Sequence, residues 1–163
     1  VEAIAPGTPF LEIHTRAIHG IAEVLHRAGV FRVPPEEAIE RGLVHPFMPH
    51  GVGHHLGLQV HDVGGTQAAP EGGTAPPPES YPSLRNTRVL EPGHVVTVEP
   101  GLYFIPMLLE PLRADAASRP AIDWALIDRL AACGGIRVED DVHVTDSGRE
   151  DLTRPYVRGA GEP

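Results

Sequence analysis

The 163-residue sequence contains no lysine, so all 13 of its basic residues are arginine. A chain without lysine has no Schiff-base residue and no phosphate-binding lysine, which excludes pyridoxal enzymes, kinases and P-loop proteins. The 22 acidic residues leave a formal charge of -9. Nucleic-acid binding needs a basic surface that displaces counterions, so this charge argues against nucleic acid and favours a metal cation or a small substrate.

Cysteine, methionine and long apolar runs are also scarce. The lone Cys133 cannot form an internal disulfide, so we expect the protein to be cytoplasmic, in a reducing compartment. We expect Cys133 itself to be a small buried residue. No apolar run approaches the ~20 residues that span a bilayer, so we expect no membrane partner. The sequence begins at Val1, and its only methionines are Met48 and Met107. We therefore expect a processed chain or a piece of a longer one.

Helix and strand signals occupy different parts of the chain. Apolar residues at helical spacing, with capping or terminating residues, predict helices over 6–29, 35–41 and 123–133. Short β-branched or alternating runs predict strands around Leu58–Val60, at 95–98 and over 136–144. The glycine- and proline-rich residues 64–83 predict a surface loop. Helices, then strands, then one more helix indicate an α+β fold with mostly antiparallel pairing.

Histidine is concentrated in one segment, at His50, His54, His55 and His61. The four-residue step from His50 to His54 would suit a metal pair on a helix, but the two glycines between them make a helix costly. A glycine-containing turn that leads into a strand is the better interpretation. The serines lack the context of a nucleophile elbow, so nucleophilic catalysis is poorly supplied. The three helical histidines, His14, His19 and His26, are expected to be solvated or partly buried.

Two glutamates lie in strand contexts. Glu99 ends the run Val95–Val98, and Glu139 lies on the polar side of the strand predicted over 136–144. A buried carboxylate is costly unless a cation or hydrogen bonds meet it. Spacing alone leaves solvated edge-strand glutamates open as an alternative. One imidazole with two carboxylates would suit Mn, Co, Fe or Zn.

Three ordered blocks resemble one family of metallopeptidases. Residues 47–57 (FMPHGVGHHLG) with 60–65 (VHDVGG), then 84–93 (LRNTRVLEPG) leading into 97–105 (TVEPGLYFI), and finally 134–142 (GGIRVEDDV) occur in this order. They are similar to the corresponding blocks of the Xaa-Pro dipeptidases, or prolidases. The first helix also resembles that family, so the resemblance covers nearly the whole chain.

This resemblance implies a pita-bread fold, of which residues 1–163 form the C-terminal portion: a mostly antiparallel, curved sheet flanked by helices. The implied activity is hydrolysis of the peptide bond before a C-terminal proline in dipeptides, by water activated between two divalent metals. Mn is our first expectation for the metal, with Co, Zn and Fe as alternatives. The implied partners are a proline-containing dipeptide and, in the full-length protein, a second copy in a homodimer.

The resemblance also implies roles for seven residues. His54, Glu99 and Glu139 match metal ligands, with Glu139 bridging the metals and Glu99 also handling a proton. His61 matches a histidine that contacts substrate and stabilises the developing negative charge, and His50 matches a histidine that lines the same pocket. Arg85 matches the arginine that binds the free carboxylate of a dipeptide. Arg137 matches one that supports the site beside Glu139.

The family site has two further ligands, both aspartates on a hairpin that precedes the first helix seen in this chain. Asp62, Asp140 and Asp141 are candidate substitutes, although none occupies the matching position. We therefore expect the 163 residues alone to be inactive or nearly so. Three alternatives remain: an aminopeptidase P that acts on longer peptides, a non-catalytic pita-bread binding module, and an isolated structural metal site.

Overall fold

Five α-helices and seven short β-strands occur along residues 1–157, which are the residues that the computed structural model describes. In chain order they are α1 (Phe10–Arg27), α2 (Pro35–Glu40), β1 (Gln67–Ala69), β2 (Gly72–Thr74), β3 (Val95–Val98), β4 (Gly101–Tyr103), α3 (Pro106–Ala114), α4 (Trp124–Leu130), β5 (Gly135–Arg137), β6 (Asp140–Thr145), β7 (Gly148–Asp151) and α5 (Arg154–Val157). All strand pairs within these residues are antiparallel. The predicted α+β class is confirmed.

The chain folds into two units. The first unit contains Val1–His14, His50–Pro100 and the residues from Val138 onward, and the second contains Thr15–Pro49 and Gly101–Arg137. Across the described residues, the structure has no helix with both the length and the apolar character needed to cross a membrane.

Helix α1 confirms the first predicted helix. The apolar spacing predicts one buried stripe, which the structure matches only in part, made of Phe10, Ile13, Ala17, Ile21, Val24, Leu25 and Ala28. The helix begins directly after Pro9, which suits a proline because its missing N–H would have no helical partner there. Its buried side carries Phe10, Ile13, His14, Ile18, Ala22 and Leu25. Val24 is 41% exposed, because each step turns a helix by about 100° and the neighbour of Leu25 therefore points away from the stripe.

The sheet of the first unit is built around β3. Strand β6 pairs with β3 in the register Val95↔His143 to Val98↔Asp140, and β7 pairs with the other edge of β6. Residues 52–56 run antiparallel along the remaining edge of β3. One face of this sheet is apolar and buried, through Val96, Val98, Val142 and Val144. The predicted alternation along residues 140–144 is thus confirmed.

The strand predicted over 136–144 is interrupted at Val138 and Glu139, which lie between β5 and β6. Opposite the interruption lies Pro100, which has no N–H to donate to a ladder; the Val138 N–H still donates to the Pro100 carbonyl at 3.3 Å. Ile136 is 65% exposed. The prediction of one continuous, one-sided strand is therefore wrong at its N-terminal end.

The strand predicted around Leu58–Val60 is also wrong, because these residues form an exposed loop. Leu58 and Val60 are 104% and 72% exposed, and the segment turns back so that the Asp62 N–H donates to the His55 carbonyl at 3.1 Å. The predicted loop at 64–83 is largely exposed, as expected, and contains the small hairpin of β1 and β2.

The second unit packs around three aromatic rings. Phe47 lies edge-on to Phe31 and to Phe104, with ring centroids 5.4 and 6.1 Å apart. The predicted helix over 123–133 is confirmed as α4 followed by a 3-10 turn, and the Asp123 carboxylate caps it by accepting from the Leu126 N–H at 2.9 Å. Cys133 is exposed rather than buried, because it lies in the turn after the helix.

Candidate metal centre

The histidine-rich segment is held against β3 by three main-chain hydrogen bonds. They run from Leu56 N to Val95 O (2.9 Å), from Thr97 N to His54 O (2.9 Å) and from Glu99 N to Val52 O (2.7 Å). Side chains on facing strands point to the same face of a sheet, and diagonal neighbours remain within reach of long side chains. This register therefore places His54 and Glu99 on one face of the sheet, although 45 positions separate them in the sequence.

Gly53 permits the close approach of this segment to β3. A Cβ atom at Gly53 would lie 2.0 Å from the carbonyl oxygen of Thr97, which is far inside van der Waals contact. Any side chain here would separate the two segments. The glycine that disfavoured a helix in the sequence therefore has a second function, which is to bring His54 to the strand.

The centre of the site is a buried pair of an imidazole and a carboxylate. His54 Nε2 lies 3.1 Å from Glu99 Oε1, and the two residues are 3% and 7% exposed. The Thr97 hydroxyl donates to the same oxygen, Glu99 Oε1, at 3.1 Å, and accepts from the His54 main-chain N–H at 3.0 Å. These contacts exclude solvated edge-strand surroundings for Glu99. The glycine-containing segment runs along β3, so the interpretation as a turn that leads into a strand is wrong.

The hydrogen bonding of His54 fits a cation. Its Nδ1 lies 3.0 Å from the His55 carbonyl oxygen, and a carbonyl only accepts, so Nδ1 carries a proton. In the neutral ring Nε2 then presents a lone pair to Glu99 Oε1, which repels it unless a proton or a metal cation joins the two. A carbonyl acceptor at one ring nitrogen is also what orients metal-binding histidines in proteins. The donor set therefore fits a divalent metal.

Glu139 is related to Glu99 by the register of the sheet. The next step beyond Val98↔Asp140 pairs Glu99 with Glu139, and the contact from Val138 to Pro100 continues the same register one step further. Glu139 itself is exposed and lies outside the strands. Within residues 1–157, no group of three or more His, Cys, Asp or Glu side chains converges closely enough to hold a metal. The structure thus brings two of the three predicted ligands together.

The other predicted histidines lie near the pair in different ways. The ring of His61 is exposed and lies edge-on to that of His54, with centroids 4.3 Å apart. His50 is half-buried, and its Nδ1 donates to the Gly51 carbonyl at 2.7 Å. Both are on the histidine-rich segment, and His61 contacts His54 through its ring.

The two arginines predicted to bind or support substrate lie on other segments. Arg85 is exposed in the first unit, in the loop that precedes β3, where its carbonyl approaches Gly65. Arg137 is exposed at the end of β5 in the second unit, paired with Gly101. The structure does not test their roles, which stay predictions.

The three aspartates considered as substitute ligands have structural contacts. Asp62 accepts from the Gly64 N–H at 2.8 Å and caps a 3-10 turn. The buried carboxylate of Asp140 accepts a hydrogen bond from Arg154 Nη2 at 2.8 Å and lies 2.6 Å from Arg154 Nε. The main-chain N–H of Asp141 donates to the Thr153 hydroxyl at 2.8 Å. The carboxylates of Asp62 and Asp140 are therefore engaged elsewhere, whereas Asp141 pairs with Thr97 in the register of the sheet.

His55 faces the opposite side of the sheet from His54. Burial lowers the pKa of His55 to about 4, and the neighbouring His94 and Arg88 act in the same direction. Burial also lowers the pKa of His94, with a further contribution from Arg88. The rings of the two histidines meet edge-on, 4.6 Å apart. Of the two adjacent histidines, therefore, His55 is kept neutral and belongs to the packing of the sheet.

Two residues near the site were missed by the sequence analysis. Thr97 shares the face of Glu99 because it lies two positions before it on the same strand, a signal that strand alternation contains. His14, expected to be solvated or partly buried, is 2% exposed, accepts from the Val52 N–H at 3.2 Å and lies edge-on to Tyr81. Its position one helical turn after Phe10 would have placed it on the buried side.

Comparison with known proteins identifies the family of this chain. The model of metallopeptidase family M24 matches residues 1–146. The Xaa-Pro dipeptidase of Stenotrophomonas maltophilia (strain K279a) is 49% identical over 158 residues, covering 97% of this chain and 35% of that protein. The Xaa-Pro dipeptidase of Marinobacter nauticus is 49% identical over 154 residues, covering 94% and 34%. The chain thus spans about a third of the length of these relatives.

Solved structures of aminopeptidase P are similar to the chain. Escherichia coli aminopeptidase P with the inhibitor Pro-Leu aligns with a TM-score of 0.63 and 33% identity, covering 96% of this chain and 28% of that one. Pseudomonas aeruginosa aminopeptidase PepP aligns with a TM-score of 0.62 and 33% identity, covering 93% and 27%. A zinc-substituted Escherichia coli aminopeptidase P in complex with product gives a TM-score of 0.62 and 32% identity, covering 94% and 28%. The predicted pita-bread architecture agrees with these matches.

Proposed function

Because this chain belongs to metallopeptidase family M24, we propose that it contributes to a metal-dependent enzyme that hydrolyses the peptide bond before a C-terminal proline in dipeptides. The observation that carries the proposal is the buried contact of His54 Nε2 with Glu99 Oε1 at 3.1 Å. A buried carboxylate that faces an imidazole lone pair is stable only when a proton or a cation joins them. The similarity to proteins named Xaa-Pro dipeptidase supports the substrate class.

The residues of this chain that would hold metal are His54, Glu99 and Glu139. When bound, divalent ions polarise a peptide carbonyl and make water a stronger acid, so that no serine or lysine is needed. Mn²⁺ is the metal that we propose first, with Co²⁺, Zn²⁺ and Fe²⁺ as alternatives, since imidazole and carboxylate ligands suit all four. Two aspartates from outside this chain would complete a two-metal site, and we propose that the 163 residues alone are inactive or nearly so.

The remaining predicted residues act on the substrate. Glu99 would take a proton from the attacking water and return it to the leaving amine, as a general base and then a general acid. His61, whose ring contacts that of His54, would donate a hydrogen bond to the carbonyl oxygen as negative charge develops there. Arg85 would bind the dipeptide carboxylate through its paired N–H groups. His50 would line the pocket, and Arg137 would support Glu139.

A dipeptide assay with controlled metal content tests this function. We would assay two proteins on Ala-Pro: the longest polypeptide that contains this chain, and the chain by itself. Each is assayed with Mn²⁺, then after chelation, and again after Mn²⁺ is restored. We expect the longer polypeptide to lose its activity on chelation and recover it with metal. His54→Ala and Glu99→Gln should each lower kcat by about 100-fold or more, whereas His19→Gln, an exposed histidine of α1, should leave it unchanged. Cleavage that survives chelation would contradict the mechanism.

An aminopeptidase P activity is the second candidate, because the solved structures that the chain resembles carry that name. The two activities differ in substrate length, since an arginine that grips the carboxylate of a dipeptide excludes a longer peptide. Comparison of Ala-Pro with Ala-Pro-Ala separates them. Faster cleavage of the dipeptide, which becomes slow in Arg85→Ala, supports the first function; faster cleavage of the tripeptide supports the second.

A further inference from the structure

Thr97 contacts both of the predicted metal ligands that the structure brings together. Its hydroxyl oxygen lies 3.0 Å from the His54 main-chain nitrogen and 3.1 Å from Glu99 Oε1. We infer that Thr97 is a positioning residue, which sets the distance between the His54 imidazole and the Glu99 carboxylate and thereby the affinity of the site for a divalent cation. This inference rests on the proposed function, because it concerns the same two ligands.

The direction of each hydrogen bond follows from the chemistry of the groups. A main-chain N–H only donates, so the Thr97 oxygen accepts from His54. The hydroxyl retains a single proton, and the carboxylate of Glu99 only accepts, so this proton points to Glu99 Oε1. Hydrogen bonds to charged groups are shorter and stronger than those between neutral groups. One hydroxyl therefore orients Oε1 on the side that faces His54 Nε2.

The setting of Thr97 restricts the freedom of this hydroxyl. Thr97 is 1% exposed, and a β-branched residue in a strand has few χ1 choices. The main-chain bond from Thr97 N to His54 O, at 2.9 Å, and the close approach at Gly53 fix the distance between the two segments. The same residue thus holds one ligand by its backbone and the other by its side chain. Groups in this position around metal sites typically contribute 10- to 100-fold to affinity or activity.

The alternative is that the Thr97 hydroxyl only satisfies the buried N–H of His54 and contributes nothing to the ligands beyond stability. Two substitutions separate the possibilities. Thr97→Val keeps the shape of the side chain and removes the hydroxyl, whereas Thr97→Ser keeps the hydroxyl and removes the methyl group. Val96→Ala serves as the matched control. Val96 is the adjacent buried residue of β3 and lies on the opposite face, so its truncation should destabilise the fold without touching the ligands.

The readout is the Kd for Mn²⁺, measured by calorimetry on the longest polypeptide that contains this chain, after its metal has been removed. The urea midpoint of each variant is measured as well. We expect Thr97→Val to weaken Mn²⁺ binding by about 10- to 100-fold, Thr97→Ser to restore it to within about threefold of the wild-type value, and Val96→Ala to leave it within about twofold. Ala-Pro hydrolysis at saturating Mn²⁺ is a second readout, in which Thr97→Val should lower kcat more than it raises KM.

Three results would overturn the inference: an unchanged Kd in Thr97→Val, an equal loss of affinity in Val96→Ala, or a wild-type polypeptide that does not bind Mn²⁺. Failure of the proposed function is a separate result. A polypeptide that binds Mn²⁺ tightly, loses affinity in Thr97→Val and regains it in Thr97→Ser, but cleaves no proline-containing peptide, would support the positioning role and refute the peptidase.

Discussion

Substitution of Gly53 by alanine is the sharpest test of how the histidine-rich segment is held. The added Cβ would lie 2.0 Å from the Thr97 carbonyl oxygen, 2.8 Å from its carbonyl carbon and 3.0 Å from its hydroxyl oxygen. Close contacts between carbon and carbonyl oxygen ordinarily fall near 3.3–3.6 Å. The two segments must therefore separate by roughly 1 Å, because a main-chain carbonyl in a paired strand cannot rotate away.

The magnitude follows from what this separation breaks. Overpacking of a buried site costs about 1–3 kcal/mol. The bonds from Thr97 N to His54 O and from His54 N to Thr97 Oγ1 lengthen from 2.9 and 3.0 Å, and each contributes about 1 kcal/mol. Alanine restricts the unfolded chain more than glycine does, which returns about 0.4–1 kcal/mol. We expect Gly53→Ala to lower the free energy of unfolding by about 3 kcal/mol.

Urea unfolding followed by circular dichroism measures this loss, and two other glycines provide controls. Gly148, in β7, has no atom within 4 Å of a built Cβ, so Gly148→Ala should not lower the free energy of unfolding and should raise it by no more than about 1 kcal/mol. Gly20 lies within α1 with the same open space, so Gly20→Ala should raise it by about 0.5–1 kcal/mol. A loss below about 0.5 kcal/mol in Gly53→Ala would refute the close approach.

Further outcomes are expected from the core, a helix cap and the site. Phe47→Ala should cost about 3–5 kcal/mol of unfolding free energy, measured by urea unfolding, because Phe47 is fully buried between two other rings. The Leu126 N–H and Arg32 hold the pKa of Asp123 below its ordinary value of 3.8. The cap therefore stabilises the fold above that ordinary value, and this stabilisation is lost as the pH falls through the lowered pKa. Thermal unfolding should show the loss of stability in the wild type and not in Asp123→Asn. Mn²⁺ at 100 times its Kd should raise the free energy of unfolding of the longest polypeptide by about 2.7 kcal/mol, and a thermal scan should show no such rise in Glu99→Gln.

Local physics accounts for the elements that the sequence predicted well. The cap of α4 depends on Asp123 and the three residues after it, and the start of α1 depends on Pro9, so both are readable over a few positions. The alternation over 140–144 was equally local. In each case the interaction that decides the structure lies within one turn of helix or a few residues of strand.

The failures share a different cause. Leu58 and Val60 have the composition of a strand, yet a strand also needs a free edge, and residues 52–56 already occupy that edge of β3. Helix α3 was missed because it begins at Pro106 and contains Pro111, and an internal proline argues against a helix. No periodicity in the sequence records which edge is free or which proline the surroundings tolerate.

The site shows the same division. Spacing alone could not decide whether Glu99 is a buried ligand or a solvated edge-strand residue, and it could not predict that Glu99 contacts His54. The resemblance to a known family named both residues, while the structure supplies the physical reason for their proximity: an antiparallel register, a glycine that permits it and the hydroxyl of Thr97. That register is a long-range property, which local sequence signals do not contain.

Exposure divides the predicted site into a rigid part and an adaptable part. His54, Thr97 and Glu99 are buried and fixed by the hydrogen bonds of the sheet, whereas His61 and Arg85 are exposed on loops. Precise metal geometry needs ligands on rigid elements, and substrate recognition tolerates more freedom. Glu139 combines both properties, since its register belongs to the sheet while its side chain lies exposed at the interruption opposite Pro100. We therefore expect the side chain of Glu139, which we propose as a ligand, to adjust when cations bind, while His54 and Glu99 stay fixed.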